Sequence, residues 1–252
     1  MVYDETRRGI KTIFNWSNPI EGQGWVGLID HLGSEATIVN AARVSFGKLK
    51  SSMDERDVKL LDYLIDNRHT SPLEHVVFTF SVHCPLFIRG QWHRHRTWSY
   101  NEISRRYTEI DMEFYTPGTL RRQSENNRQA SFLDPDFKGD DFKAQIDAHN
   151  RASLALYEKL LGAGVCREQA RGVLPQNMMV TFWGTVDLSN LLQHGFSGHF
   201  QKLIVNLILG LFRQLHHFGN EVSFGKLLRH IQKFFHLPFP FPISEDKSRQ
   251  QN

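Results

Sequence analysis

From Phe78 to His83 the side chains alternate, with Phe78, Phe80 and Val82 set against Thr79, Ser81 and His83. A period of two is that of a pleated strand, so one face goes to a core and the other to wetter surroundings. Pro85 ends the pattern, and its fixed φ and missing N–H suit the first turn of a helix. That helix runs straight into residues 89–106, which hold Arg89, Arg94, Arg96, Arg105 and Arg106. The fold therefore has to seat a dense positive segment directly after a core strand.

The surrounding sequence predicts mixed helices and strands without an internal repeat. Trp25 to Leu32 reads as a strand, and Ser34 caps a short helix carrying Ile38, Ala41 and Ala42 on one face. Asp54 opens a second helix with Leu60, Leu61, Leu64 and Ile65 at helical spacing, ended by His69-Thr70-Ser71-Pro72. Residues 116–140 contain Pro117-Gly118, Ser124-Glu125-Asn126-Asn127 and Pro135 and read as a long exposed loop. From Asp140 a long helix carries Phe142, Ile146, Leu154, Tyr157 and Leu161 until Gly162 and Gly164 stop it. Met178 to Thr185 is strand-like. The expected architecture is one α/β domain (mixed α+β), with a curved, largely antiparallel sheet flanked by helices.

The arginines are interleaved with Trp92, Trp98, Tyr100 and Tyr107 and with Gln91, Ser99, Asn101 and Ser104. Guanidinium forks grip phosphate oxygens in pairs, and flat aromatics stack on flat rings. Three readings compete: a solvated basic loop, a nucleic-acid patch, and a closed nucleotide or dinucleotide site. Glu102 favours the third, because a carboxylate facing a polyanion is repulsive unless it meets a specific donor. The expectation is that Arg94, Arg96 and Arg106 fold inward around paired phosphates.

Composition excludes other classes. A net charge of +3 on 252 residues is too modest for a general polyanion binder, so the positive charge is local. With 40% hydrophobic and 23% charged residues the chain reads as globular. Cys84 and Cys166 are its two cysteines, which argues against a disulfide scaffold and suits a reducing cytosol. The start Met1-Val2-Tyr3-Asp4-Glu5 lacks a signal-type apolar stretch, and the apolar run Leu203 to Phe212 is too short to span a bilayer. A cytoplasmic protein is expected, with no membrane or nucleic-acid partner.

Several residues have plain readings as well as functional ones. His69 and His75 flank a proline turn and read first as capping or core histidines. His93 and His95 lack further ligands at zinc spacing, so no metal is expected. Cys84 reads as packing, and Ser104 has no histidine–carboxylate relay near it in sequence. Arg171, taken alone, is a surface arginine.

Arg94-His95-Arg96, followed after seven residues by Ser104, resembles the signature of flavin-dependent thymidylate synthases. Gln91-Trp92-His93 and Ser99-Tyr100-Asn101-Glu102 extend the likeness. So do Ala41-Ala42-Arg43-Val44-Ser45-Phe46 and His69-Thr70-Ser71-Pro72-Leu73-Glu74-His75 upstream. Downstream it continues in Glu168-Gln169-Ala170-Arg171-Gly172-Val173-Leu174-Pro175 and Thr185-Val186-Asp187-Leu188-Ser189-Asn190-Leu191-Leu192. The resemblance covers roughly residues 24–192.

It implies methylation of dUMP to dTMP, with methylenetetrahydrofolate as one-carbon donor, FAD as cofactor and NADPH as reductant. By the same resemblance Arg94, His95 and Arg96 hold FAD, with Ser71, Glu102, His69, Asp187 and Gln193 in the cofactor set. Gln91, Arg94, Ser104, Arg105, Arg106 and Arg171 hold dUMP. A homotetramer with shared sites is implied too.

The likeness fails after Leu192, so residues 1–192 form the family-like body and 193–252 a departing tail, in which 200–218 still has helical spacing. The family's uracil-activating arginine falls at Gly198, and no arginine occurs from Gly172 until Arg213. Between Leu188 and Ser244 the only acid is Glu221, while nine of 19 phenylalanines and six of 13 histidines lie there. Either the segment has diverged, with Arg213 or His199 as weak substitutes, or the tail comes from a shifted reading frame or elsewhere. The abrupt break favours a foreign tail and predicts impaired activity; the alternative function is a catalytically weak or inactive flavin- or nucleotide-binding homologue.

Overall fold

The computed structural model describes residues 23–194 except Asp111, Gln129 and Lys138, with Gln193 and His194 described by backbone alone. These residues form two units, one of 23–32 with 77–194 and the other of 33–76. Each is considered by itself.

The first unit is built on a four-stranded sheet in the order β1 (Trp25–Leu32), β2 (Val77–Pro85), β6 (Met179–Asp187), β3 (Ser99–Glu102), every pair antiparallel. Register puts Leu28, Phe80, Gly184 and Tyr100 in one row, and Val26, Val82, Phe182 and Glu102 in the next. Val26, Leu28, Phe78, Phe80, Val82, Phe182 and Val186 are buried, so the alternation seen in sequence is the inner face of this sheet. A register shift between Leu28 and Asp30 marks a bulge in β1, after which Asp30 and Leu32 are exposed.

Pro85 is the last residue of β2 and the cap of α3 (Leu86–Trp92), one position earlier than the first helical turn. The Leu86 and Phe87 amides, which no helical turn can satisfy, donate to the carbonyls of Met178 and Gln176 at 3.0 Å. Strand β3 is not expected from its sequence. Ser-Tyr-Asn-Glu is a poor strand former by composition, and pairing with β6 at the sheet edge imposes the conformation. At position 184 a Cβ would lie 3.0 Å from Cε3 of Trp98, so the absence of a side chain there lets the indole lie on the sheet.

The expected 116–140 loop contains a small hairpin, β4 (Arg122–Gln123) with β5 (Ser131–Phe132). The long helix α4 (Asp140–Gly162) ends before Gly164, whose φ of 83° is the left-handed conformation expected there. Of its predicted stripe Tyr157 is buried and Ile146, Leu154 and Leu161 are part-buried, but the stripe also takes in two polar residues and leaves out Phe142. Asn150, Ser153 and Tyr157 are buried, whereas Phe142 is 51% exposed. Asn150 is accommodated because its Oδ1 accepts from Asn177 Nδ2 at 2.9 Å, and the same amide also donates to the Tyr115 carbonyl. The helices α5 (Arg167–Ala170) and α6 (Leu188–His194) complete this unit, with a 3-10 turn at Arg171–Val173.

The second unit pairs α1 (Glu35–Arg43) with α2 (Glu55–Asp66), with 3-10 turns at Val44–Phe46 and Ser71–His75. Ser34 and Asp54 sit at the two N-caps as their sequence predicts. Asp54 accepts from the amides of Arg56 and Asp57, while Asp57 Oδ2 accepts from the Asp54 amide at 2.8 Å. Asp57 is fully buried and pairs with Arg43 and with Lys50. Burial alone would raise its carboxyl, but hydrogen bonds from Lys50, the Asp54 amide and Arg43 outweigh it and hold the group below the usual carboxylate range. Asn40 clamps Lys50 through both backbone groups, at 2.9 and 3.0 Å. Ile38, Leu61, Leu64 and Ile65 are buried as expected.

Candidate active site

Helix α3 places Gln91, exposed, one turn before the segment that carries Arg94, His95 and Arg96, and β3 returns the chain to the sheet. The segment is a succession of tight turns: the Arg94 amide donates to the Gln91 carbonyl, and that of His95 to Trp92. Tyr100 Oη reaches the carbonyls of Trp92 and His95 at 3.0 and 3.1 Å. The Tyr100 ring stacks on His93 at 4.1 Å, and Phe182 meets His93 edge-on at 4.9 Å.

The five arginines separate into two kinds. Arg89 donates from Nη2 to Glu102 Oε1 at 2.8 Å and pairs through Nε with Oε2. Arg105 is 5% exposed and gives Nη1 to the Ile110 carbonyl. Arg94, Arg96 and Arg106 are exposed. Arg106 lies 3.5 Å from Glu168, with both side chains about half exposed, a pair worth little in water. Among the described residues no carboxylate pairs with the Arg94 or Arg96 side chain.

Arg94, Arg96 and Arg106, expected to clasp paired phosphates, are all solvent-exposed in this chain taken by itself. Taking a guanidinium out of water without a counter-charge costs several kcal/mol. The two that turn inward, Arg89 and Arg105, have a carboxylate and a carbonyl to receive them. Glu102, expected to read a ligand donor, meets Arg89.

Ser104 is part-buried and its Oγ accepts from the Arg106 amide at 3.3 Å. Arg171 opens its 3-10 turn exposed, beside the fully buried Ala170. Asp187 ends β6, where Oδ1 accepts from the Asn190 amide at 2.9 Å and Oδ2 from Asn190 Nδ2 at 2.6 Å. It acts as a cap for α6, a role that sequence reading passed over although Asp-Leu-Ser-Asn before an apolar run is a start signal. In the second unit His69 and Ser71 are exposed around the turn Ser71–His75. Gly198, His199, Arg213 and the Gln193 side chain lie outside the described residues.

Burial, with the Arg89 charge adding, pushes His93 down to about 4, and burial also lowers His95. Both are neutral near pH 7, so the turn's positive charge belongs to its arginines. Burial pushes the Cys84 thiol up to about 12, with the Glu102 charge adding, which agrees with a packing role. Tyr100 and Arg89 were not assigned by sequence reading. Their spacing around the arginine turn was visible, but not which carbonyls and carboxylate they meet.

This is a mixed α/β protein whose antiparallel sheet carries an arginine-bearing turn between α3 and its edge strand. Residues 27–199 match the Thy1 family, thymidylate synthase complementing protein, and the chain belongs to that family. It is 44% identical over 188 residues to a flavin-dependent thymidylate synthase of Thermus thermophilus, covering 73% of this chain and 65% of that protein. It is 40% identical over 172 residues to the flavin-dependent thymidylate synthase of Thermosipho melanesiensis, covering 68% and 74%. A crystal structure of the UMP/dUMP methylase PolB from Streptomyces cacaoi bound with 5-Br dUMP is similar, with a TM-score of 0.61 and 31% identity over 69% of this chain and 77% of that one. The chain spans just under two thirds of the length of the Thermus relative.

Proposed function

We propose that this chain methylates dUMP to dTMP, taking the one-carbon unit from methylenetetrahydrofolate. FAD is its cofactor and NADPH its reductant, in a homotetramer with shared sites in the cytoplasm. Family membership supports the reaction class, and the similar methylase bound with 5-Br dUMP supports the substrate.

The observation that carries the reading is the pair of exposed guanidiniums, Arg94 and Arg96, without a carboxylate partner among the described residues. A pyrophosphate needs such donors, so the residues present fit FAD. Arg94, His95 and Arg96 would hold it, and when bound it supplies the hydride that turns the transferred carbon into a methyl group. Gln91, Arg94, Ser104, Arg106 and Arg171 would hold dUMP, balancing its phosphate charge and orienting the ring. Arg105, placed in that set by resemblance, is buried on the Ile110 carbonyl and supports the turn. Neutral His95 can donate to or accept from a ligand without adding charge.

Turnover is proposed to be weak. The family's uracil-activating arginine falls at Gly198, and loss of a preorganised positive group over developing charge costs ~100-fold or more. The test is flavin absorbance of the purified chain together with tritium release from labelled dUMP. Bound flavin with slow release is expected; absence of flavin refutes the cofactor reading, and release at the rate of an intact relative refutes the impairment. Binding of dUMP without product would identify a non-catalytic nucleotide binder, the reading favoured by the gap in arginines between Gly172 and Arg213.

A further inference from the structure

We propose that Tyr100 is a positioning residue for flavin binding, its hydroxyl fixing the turn that presents Arg94 and Arg96. This rests on the flavin reading above but uses contacts that belong to the chain itself.

The Trp92 carbonyl receives the His95 amide at 3.0 Å and the His95 carbonyl the Trp98 amide at 3.4 Å, and a carbonyl oxygen has two lone pairs, so each can take a second donor. Tyr100 Oη lies 3.0 Å from the Trp92 carbonyl and 3.1 Å from that of His95, so its single hydrogen is shared between the two ends of the Arg94-bearing turn. The phenol is itself held. Its ring stacks on His93 at 4.1 Å with an interplanar angle of 25° and lies 6.0 Å from Trp98 at 9°, with Phe182 edge-on at 5.8 Å. The Tyr100 backbone is paired with Gly184 of the inner strand β6. Burial raises the phenol well above its ordinary range, so the donor hydrogen stays in place.

The chain of constraint runs from sheet to ring to hydroxyl to two carbonyls, and Arg94 lies between those carbonyls. Two long, hydrated side chains gain from this arrangement. A turn already fixed leaves less backbone entropy to lose when an anion binds, so affinity rises without any new contact. Tyr100 touches no reacting atom in this account.

The test is Tyr100→Phe, which keeps the stacked ring and removes only the hydroxyl. FAD affinity is read by fluorescence quenching, amide exchange by mass spectrometry over 92–98, and thermal unfolding by circular dichroism. Expected are an FAD dissociation constant raised about tenfold, faster exchange at His95 to Thr97, and an unfolding midpoint close to the parent's. Incorporation of 3-fluorotyrosine at position 100, which restores a donor on the same ring, is expected to return both affinity and exchange to parent values. Unchanged FAD affinity and exchange in Y100F overturns the proposal. So does a Y100F chain that loses its fold, or failure of fluorotyrosine to rescue, since either makes the role general to stability. If the parent retains no FAD, the functional reading falls instead, and exchange alone decides whether the hydroxyl fixes the turn.

Discussion

Arg89 on α3 and Glu102 on β3 form an ion pair that ties the two ends of the arginine-bearing segment together, with side chains 31% and 22% exposed. Removing one partner leaves the other charge half-buried and alone. Fully buried pairs lose ~3–5 kcal/mol on such truncation; partial exposure here reduces the expectation to about 1–2 kcal/mol for Arg89→Met or Glu102→Gln. The double variant should be less destabilised than the sum of the two, and urea unfolding of all four proteins measures the coupling. Strict additivity would show that the pair contributes nothing.

Asp187 was expected in the cofactor set by resemblance, yet both of its oxygens receive donors from Asn190. Asp187→Ala should cost ~1 kcal/mol through loss of the helix cap, whereas Asp187→Asn, still an acceptor for the amide, should cost a few tenths. Chemical denaturation separates the two. Equal midpoints for both variants would remove the capping role.

Much of the sheet and both helices of the second unit were legible because one physical rule governed each stretch. The alternation from Phe78 to His83 had a single face to bury, and Ser34 and Asp54 had no better use than as caps. On α4 the burial of Asn150 and Ser153, polar by type, was missed because Asn150 is satisfied by Asn177, which is distant in sequence. Strand β3 was hidden because its conformation comes from pairing with β6, some eighty residues on. For the site, the arginine cluster was plain, but not its division. Which guanidinium turns inward depends on where a carboxylate or a free carbonyl happens to fall, and Glu102 and the Ile110 carbonyl settle that only in three dimensions.

Trp98 lies against the bare backbone of Gly184, where a Cβ would come within 3.0 Å of Cε3 and 3.2 Å of Cζ3. Trp98 is also packed on Phe80 and Trp92, so the ring has little room to retreat. Gly184→Ala should therefore destabilise by about 1–3 kcal/mol, the usual cost of overpacking. A parent-like thermal midpoint would mean that the indole relaxes freely.

His93 gives the fold a dependence on acidity. Its folded value lies at about 4, below the 6.5 of an unperturbed histidine, so between those values the unfolded chain binds a proton that the folded chain does not. Stability from this group is fully present above pH 6.5 and is lost as pH falls toward 4. His93→Gln should flatten the decline in unfolding free energy measured from about pH 7 to about pH 5. A slope equal to the parent's would assign the effect to other groups.

The contrast among the arginines yields the sharpest comparison. Arg94 and Arg96 are exposed and meet no carboxylate among the described residues, so truncating either should leave thermal stability within ~0.5 kcal/mol, as for surface changes generally. If they hold FAD, each loses charge-assisted hydrogen bonds worth ~1.5–3 kcal/mol, a fall in flavin affinity of roughly 10- to 100-fold. Arg105→Ala should behave in the opposite way on stability, because it empties a buried position and strips the Ile110 carbonyl of its donor, at about 1–3 kcal/mol. Flavin absorbance after gel filtration and a melting curve on each variant read both quantities from one preparation. If Arg94→Ala and Arg96→Ala melted early while still retaining flavin, the division between anion-holding and structural arginines would be reversed.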